Sequence, residues 1–137
     1  MERDRNGLEV LARDECLRLM ATATLGRIGV TAEALPAVLP VNFCLAQERI
    51  LIRTGIGTKL DAAVRNAVVA FEVDDFEPVG HTGWSVMVTG VAHELSDDET
   101  DEAITRPLAR WAPWGDGHTV AISTDLVSGR RITAGTL

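Results

Sequence analysis

Apolar and polar positions along this chain follow two periods, and the change from one to the other marks its elements. From about Arg13 to Ala21, Leu11, Cys16, Leu17, Leu19 and Met20 give one apolar face, which predicts a helix, and Asp14 and Glu15 suit its first turn. Gly26 closes that stretch. Alternation with a period of two then takes over. Arg27-Ile28-Gly29-Val30-Thr31 reads as a strand, and Ala32 to Leu35 turns the chain. Pro36 to Leu45 reads as a second strand, in which Ala37, Leu39, Val41 and Phe43 alternate with Val38, Pro40, Asn42 and Cys44. Pro40 has no N–H for a ladder, so this strand is expected at an edge or with a bulge. Gln47-Glu48 forms a short hairpin turn into a strand at Ile50 to Thr54.

A short helix is expected over Lys59 to Arg65, then an apolar strand over Ala67 to Val73 and a loop over Phe76 to His81. Trp84 to Glu94 reads as a long strand whose Gly90 marks a bulge or bend. An acidic-started helix over Asp97 to Trp111, interrupted at Pro107, leads through a loop at Pro113 to Gly117. A sixth strand follows at His118 to Ile122, and Arg131 to Thr133 adds an extended piece. Six antiparallel strands joined mostly by hairpins, with one crossover helix, predict a mainly β (α+β) fold built as a small closed or partly closed barrel. A parallel doubly wound sheet would need a helix between most strand pairs.

Composition narrows the function classes. At 137 residues the chain is expected to form one domain, 1–137, and its 46% apolar and 24% charged residues are a globular balance. It has no apolar run of membrane-spanning length and no signal-like N-terminus, so a cytoplasmic location and no membrane partner are expected. Cys16 and Cys44 read as buried thiols. The net charge of −7 argues against nucleic acid as a partner. No His/Cys/carboxylate set has metal-ligand spacing, so no metal is expected.

Against twelve arginines stands a single lysine, Lys59, in the stretch Arg53-Thr54-Gly55-Ile56-Gly57-Thr58-Lys59-Leu60. A strand, a Gly/Thr loop and a helix in that order present backbone N–H groups to an anion. Two hydroxyls, a guanidinium and an ammonium around them suit a phosphate monoester. The spacing is neither a Walker A loop nor a GxGxxG fingerprint, since Leu60 follows Lys59. The plain alternative is a glycine turn into a helix with solvated charges.

Three segments read together carry a resemblance: Pro40-Val41-Asn42, then Arg53-Thr54 with Thr58-Lys59, then Gly83-Trp84-Ser85-Val86. Their order, with the strand Val68 to Asp74 between, resembles the pyridoxamine 5′-phosphate oxidase-like family of flavin-binding split barrels, near its nitroimidazole-resistance branch. The resemblance implies a six-stranded antiparallel split β-barrel and a homodimer with FMN at the subunit interface. It implies phosphate binding by Arg53, Thr54, Thr58, Lys59 and the adjoining Leu60. The flavin ring would lie along Val38, Pro40, Val41 and Asn42, with Ser85 and Trp84 reaching it from the fifth strand. Trp111, Trp114, His118 and Arg131 match the part that closes the site from the other subunit only loosely. The chain has Arg53 where nitroimidazole-resistance proteins carry histidine, which sets it apart from nitroimidazole reduction. Arg130-Arg131 are a thin basic set for a vitamin B6 phosphate. A flavin supplies its own redox chemistry, which agrees with the lack of a Ser/His/Asp or Cys/His set. Three readings stay open: an FMN-dependent oxidoreductase acting on a small molecule, a deazaflavin-dependent reductase, and a non-enzymatic flavin-binding module.

Overall fold

The strands join into one antiparallel sheet that branches at its longest member. The computed structural model describes residues 2–103 and 117–133. In chain order the elements are β1 (Glu9–Leu11), α1 (Arg13–Met20), β2 (Leu25–Ala32), β3 (Leu35–Asn42), β4 (Cys44–Ala46), β5 (Arg49–Gly55), α2 (Lys59–Ala63), β6 (Ala67–Glu77), β7 (Thr82–Leu95), α3 (Asp97–Ala103), β8 (Gly117–Ile122) and β9 (Leu126–Ile132). The main path runs β3-β2-β6-β7-β8-β5-β4, while β9 pairs with β7 and carries β1 on its far side. The antiparallel, mainly β class is as expected. The expected continuation of the third helix through Pro107 to Trp111 and the expected loop with Pro113 and Trp114 lie outside the described residues.

Nine strands are described where six were expected, and β1 and β4 each have a local cause. The alternating run Pro36 to Leu45 is two strands, because Phe43 turns into the core and donates its N–H to Thr24 O at 3.0 Å. Residues before it pair with β2 and residues after it with β5. Three-residue β1 is too short to carry a period. Pro36 and Pro40 do sit on an edge strand, opposite Thr31 and Arg27. The chain turns where expected, at Glu33-Ala34 within the stretch Ala32 to Leu35 and at Gln47-Glu48. All four residues have positive φ, the backbone of a turn that usually recruits Asn-Gly.

Inward positions of the strands build the core. Ile28, Val30, Ile50, Ile52, Val69, Phe71, Val73, Val86, Val88 and Ile122 are buried there, with Cys16, Leu19 and Met20 of α1 packed against them. Phe43 and Phe71 meet edge to face, with ring centroids 5.1 Å apart. Cys16 is fully buried and Cys44 half-buried, and no disulfide joins them.

One edge of β7 pairs with β6 from Thr82 to Ala92. Its other edge pairs with β9 from Gly83 to Thr89 and with β8 from Ala92 to Leu95. Gly90 stands at the switch. A Cβ there would lie 1.7 Å from Ser123 O. Gly90 is therefore a point of close backbone approach between two strand partners.

On the outer face Arg27 of β2 reaches Glu72 and Asp74 of β6 at 3.3 and 3.0 Å. Partial burial and then the hydrogen bond and charge of Asp74 push the Glu72 carboxyl up to about 7, against the pull of Arg27. The unfolded chain releases this proton near 4.5 and the folded chain near 7. Stability therefore falls as pH rises through that window. The Glu72 side chain is 35% exposed, and solvent screening reduces the expected loss to about 1 kcal/mol. Urea unfolding at pH 5 and pH 8 should show this loss in the wild type and not in Glu72→Gln. Equal losses in both would show that Glu72 does not titrate in this way.

Candidate functional site

The turn between β5 and α2 is organised around one buried carboxylate, Asp61. Its side chain accepts from Thr54 Oγ1 at 2.8 Å and from the Gly57 N–H at 3.1 Å. His118 Nδ1 lies 2.7 Å from Asp61 Oδ1 and 3.2 Å from Glu94 Oε1. Carboxylates only accept, so the ring proton belongs on Nδ1. Arg65 adds a contact to Asp61 at 3.6 Å. Burial raises the Asp61 carboxyl, but the hydrogen bonds from His118, Thr54 and the Gly57 N–H outweigh it and hold the group at about 2.

Both threonine hydroxyls of the loop take part in this arrangement. Thr54 is fully buried against Asp61. Thr58 caps α2, accepting from the Asp61 N–H at 3.1 Å and donating to Gly55 O at 2.8 Å. Gly57, at φ +79°, lets the chain reverse before the cap. The helix ends at Ala63 rather than Arg65, with Val64 as its cap and Asn66 in the left-handed region. At five residues its dipole is small. The Lys59 and Leu60 N–H groups, first in the helix, have no intrahelical acceptor.

Lys59 is exposed and makes no ion pair among the described residues. It borders a cleft of about 350 Å³ between this loop and the β2–β3 turn, lined by Thr31, Glu33, Gly57, Thr58 and Ala62 among others. Arg53 precedes Thr54 on β5, so the two side chains leave opposite faces of the sheet. Arg53 Nη1 donates to Thr119 Oγ1 at 3.1 Å, and its buried Nε has no acceptor among the described residues. A Cβ on Gly117 would lie 3.1 Å from Arg53 Nη2, so that glycine leaves room for the guanidinium.

The remaining candidates divide by face. Val38, Pro40 and Asn42 are exposed on the outer side of β3. Ser85 lies on the same side of the sheet, opposite Asp74 and Arg130. Val41, Leu60 and Trp84 are half-buried and pack against the core. The fold thus brings together Thr54, Thr58, Lys59 and Leu60. Arg53 leaves β5 on the face opposite Thr54, and Val38 to Asn42 run along the neighbouring hairpin. Asp61 is the organising residue that the sequence reading passed over. A signal was present, because Thr58-Lys59-Leu60-Asp61 has the spacing of a capping box. Only half of that box forms, since the carboxylate turns to Thr54 and Gly57 instead of the cap's own N–H.

The sequence pattern of the pyridoxamine 5′-phosphate oxidase family matches residues 12–131. This chain belongs to that family. Among similar proteins is the uncharacterised protein Rv0080 of Mycobacterium tuberculosis, 43% identical over 129 residues, covering 90% of this chain and 85% of that protein. The FAD-binding protein of Mycobacterium smegmatis has 35% identity and a TM-score of 0.82, covering 93% of this chain and 100% of that one. A FAD-binding protein of Mesorhizobium loti shares the fold at 24% identity and a TM-score of 0.77, covering 90% and 96% of the two chains. No helix among the described residues is long and apolar enough to cross a membrane.

Proposed function

We propose that this chain binds a flavin, as FMN, and serves as an oxidoreductase for a small molecule. The observation that carries the reading is a set of donors without acceptors. The Lys59 ammonium stands at the mouth of a cleft beside the first two N–H groups of α2. Arg53 Nε is buried and unpaired among the described residues on the adjoining strand. A phosphate monoester supplies the acceptors such groups require. Family membership and the two similar FAD-binding proteins support a flavin as the molecule carrying it.

In this reading Lys59, Arg53 and the Lys59 and Leu60 N–H groups bind the phosphate. Asp61, Thr54 and Thr58 hold the loop in shape. The flavin ring lies along β3, an edge strand whose outward N–H and C=O groups are open to a ligand. Asn42 offers a donor and an acceptor to the ring's polar edge, and Val38, Pro40 and Val41 form the apolar wall. Ser85 is the polar contact from β7, and Trp84 supports it from the core side. A bound flavin supplies the electron transfer, so the chain itself needs no acid or nucleophile.

Titration of the wild type with FMN, FAD and riboflavin tests the assignment. FMN should bind far more tightly than riboflavin, and Lys59→Ala and Arg53→Ala should each lose roughly ten- to hundred-fold of that preference. Folded variants that bind FMN as tightly as wild type would remove the phosphate assignment. Tighter binding of FAD than FMN would move the reading to the dinucleotide. The absorbance of the purified protein separates a flavin from a deazaflavin, and reduction by NADH or NADPH separates an enzyme from a flavin-binding module.

A further inference from the structure

The first turn of α2 offers its buried carboxylate two places to bond. Thr58-Lys59-Leu60-Asp61 has capping-box spacing, in which the third side chain of the helix accepts from the cap residue's own N–H. Asp61 leaves that place untaken. The Thr58 N–H reaches only Gly55 O, at 3.2 Å, an acceptor it shares with the Thr58 hydroxyl. The carboxylate faces inward instead, to Thr54 Oγ1 and the Gly57 N–H. Burial opposes this choice. The Asp61 side chain is 6% exposed, and a carboxylate gives up water only for good donors. Thr54 and Gly57 supply two neutral ones. The shortest contact is the third, His118 Nδ1 at 2.7 Å, which arrives on β8 directly opposite Thr54.

We propose that His118 is a positioning residue for the phosphate loop: its Nδ1–H draws the Asp61 carboxylate inward and so keeps the end of α2 open to an anion. That the anion is a flavin phosphate rests on the flavin reading, whereas the hold of His118 on Asp61 does not. Glu94 Oε1 lies 3.2 Å from the same Nδ1, but its side chain is far more exposed than that of Asp61. Water can replace the ring for Glu94 and not for Asp61, so the proton goes to the buried partner.

The consequence for a ligand is electrostatic. In a closed capping box the carboxylate would stand at the helix N-terminus, beside the free Lys59 and Leu60 N–H groups. It would repel a phosphate there and take up the same favourable end of the helix. Turned inward, it is occupied by Thr54, Gly57 and His118, with Arg65 Nη2 at 3.6 Å. The helix end is then left to the Lys59 ammonium and the N–H groups.

Amide hydrogen exchange by NMR, with FMN and riboflavin titrations of the same full-length proteins, is the test. His118→Leu removes the donor. The Gly57 N–H should then exchange roughly tenfold faster or more, and the preference for FMN over riboflavin should fall by roughly tenfold, the effect of one hydrogen bond to a charged group. The Thr58 N–H should exchange more slowly as the box closes. A general loss of stability would speed both amides, so the opposite signs separate repositioning from destabilisation. His118→Asn carries an amide N–H on Cγ, as Nδ1 is carried in the ring, and should bring all three readouts back to within about threefold of wild type. Should His118→Leu not fold, His118→Ala, equally without a donor, takes its place. A folded His118→Leu with wild-type exchange at Gly57 and Thr58 overturns the proposal, as does a His118→Asn that behaves like His118→Leu. An unchanged preference for FMN in a His118→Leu protein whose amides respond also overturns it, since the ligand would then not depend on the loop. A wild type that binds FMN no better than riboflavin, with both amides responding as expected, removes the flavin reading and leaves the hold of His118 on Asp61 standing.

Discussion

Gly90→Ala should lower the stability of this protein by about 3 kcal/mol or more, the cost of forcing a methyl into packed backbone. The ideal Cβ position lies 1.7 Å from the carbonyl oxygen of Ser123 and 2.8 Å from its carbon. Backbone, unlike the tip of a flexible side chain, cannot swing aside. The segment cannot simply part, because Val91 N–H donates to Ser123 Oγ at 2.9 Å and Ser123 N–H to Val91 O at 3.1 Å. Moving Ser123 would pull β8 and β9 from their places on β7. Gly29→Ala is the matched control, since its Cβ would meet Ala70 Cβ at an ordinary 3.4 Å. That variant should change stability by less than about 1 kcal/mol. Urea midpoints of the two variants and the wild type decide the matter. A Gly90→Ala protein as stable as wild type would mean that β7 does not switch partners through this contact.

Asp61→Ala should be nearly as damaging, with a loss of about 2–4 kcal/mol. The substitution leaves the buried Thr54 hydroxyl, the Gly57 N–H and the His118 ring N–H without their shared acceptor. Asp61→Asn keeps the shape and one acceptor oxygen and should lose about half as much. The charge contributes a pH signature. The unfolded carboxyl titrates near 3.8 and the folded one near 2. A lowered carboxyl pKa gives stability that is present above pH 4 and lost as pH falls towards 2. The gap between wild type and Asp61→Asn should therefore narrow between pH 4 and pH 2. A gap that stays constant across that range would mean that packing, not ionisation, is what Asp61 supplies. Since the same carboxylate fixes Thr54 and the Gly57 turn, Asp61→Asn should also weaken FMN binding if the phosphate is held there.

The strand-rich pattern, the positions of both turns, the edge position of Pro40 and an irregularity at Gly90 were legible in the sequence. Each is local, since period-two alternation, a missing N–H and a missing Cβ act wherever the chain goes. The family was legible for the same reason, because its motif residues keep their order and spacing. The break at Phe43 was not legible, because alternation runs through it. Only the choice of different partners for β3 and β4 places that ring between them. The division of Arg53 from Thr54 follows from strand alternation once β5 is known to face packed elements on both sides. The role of Asp61 depends on His118, fifty-seven positions away, arriving on β8 beside it. The row that sets exposed Val38 beside Gly29 and Ala70 was the least legible of all. It forms only when β3, β2 and β6 align, and sequence spacing does not record which strands become neighbours.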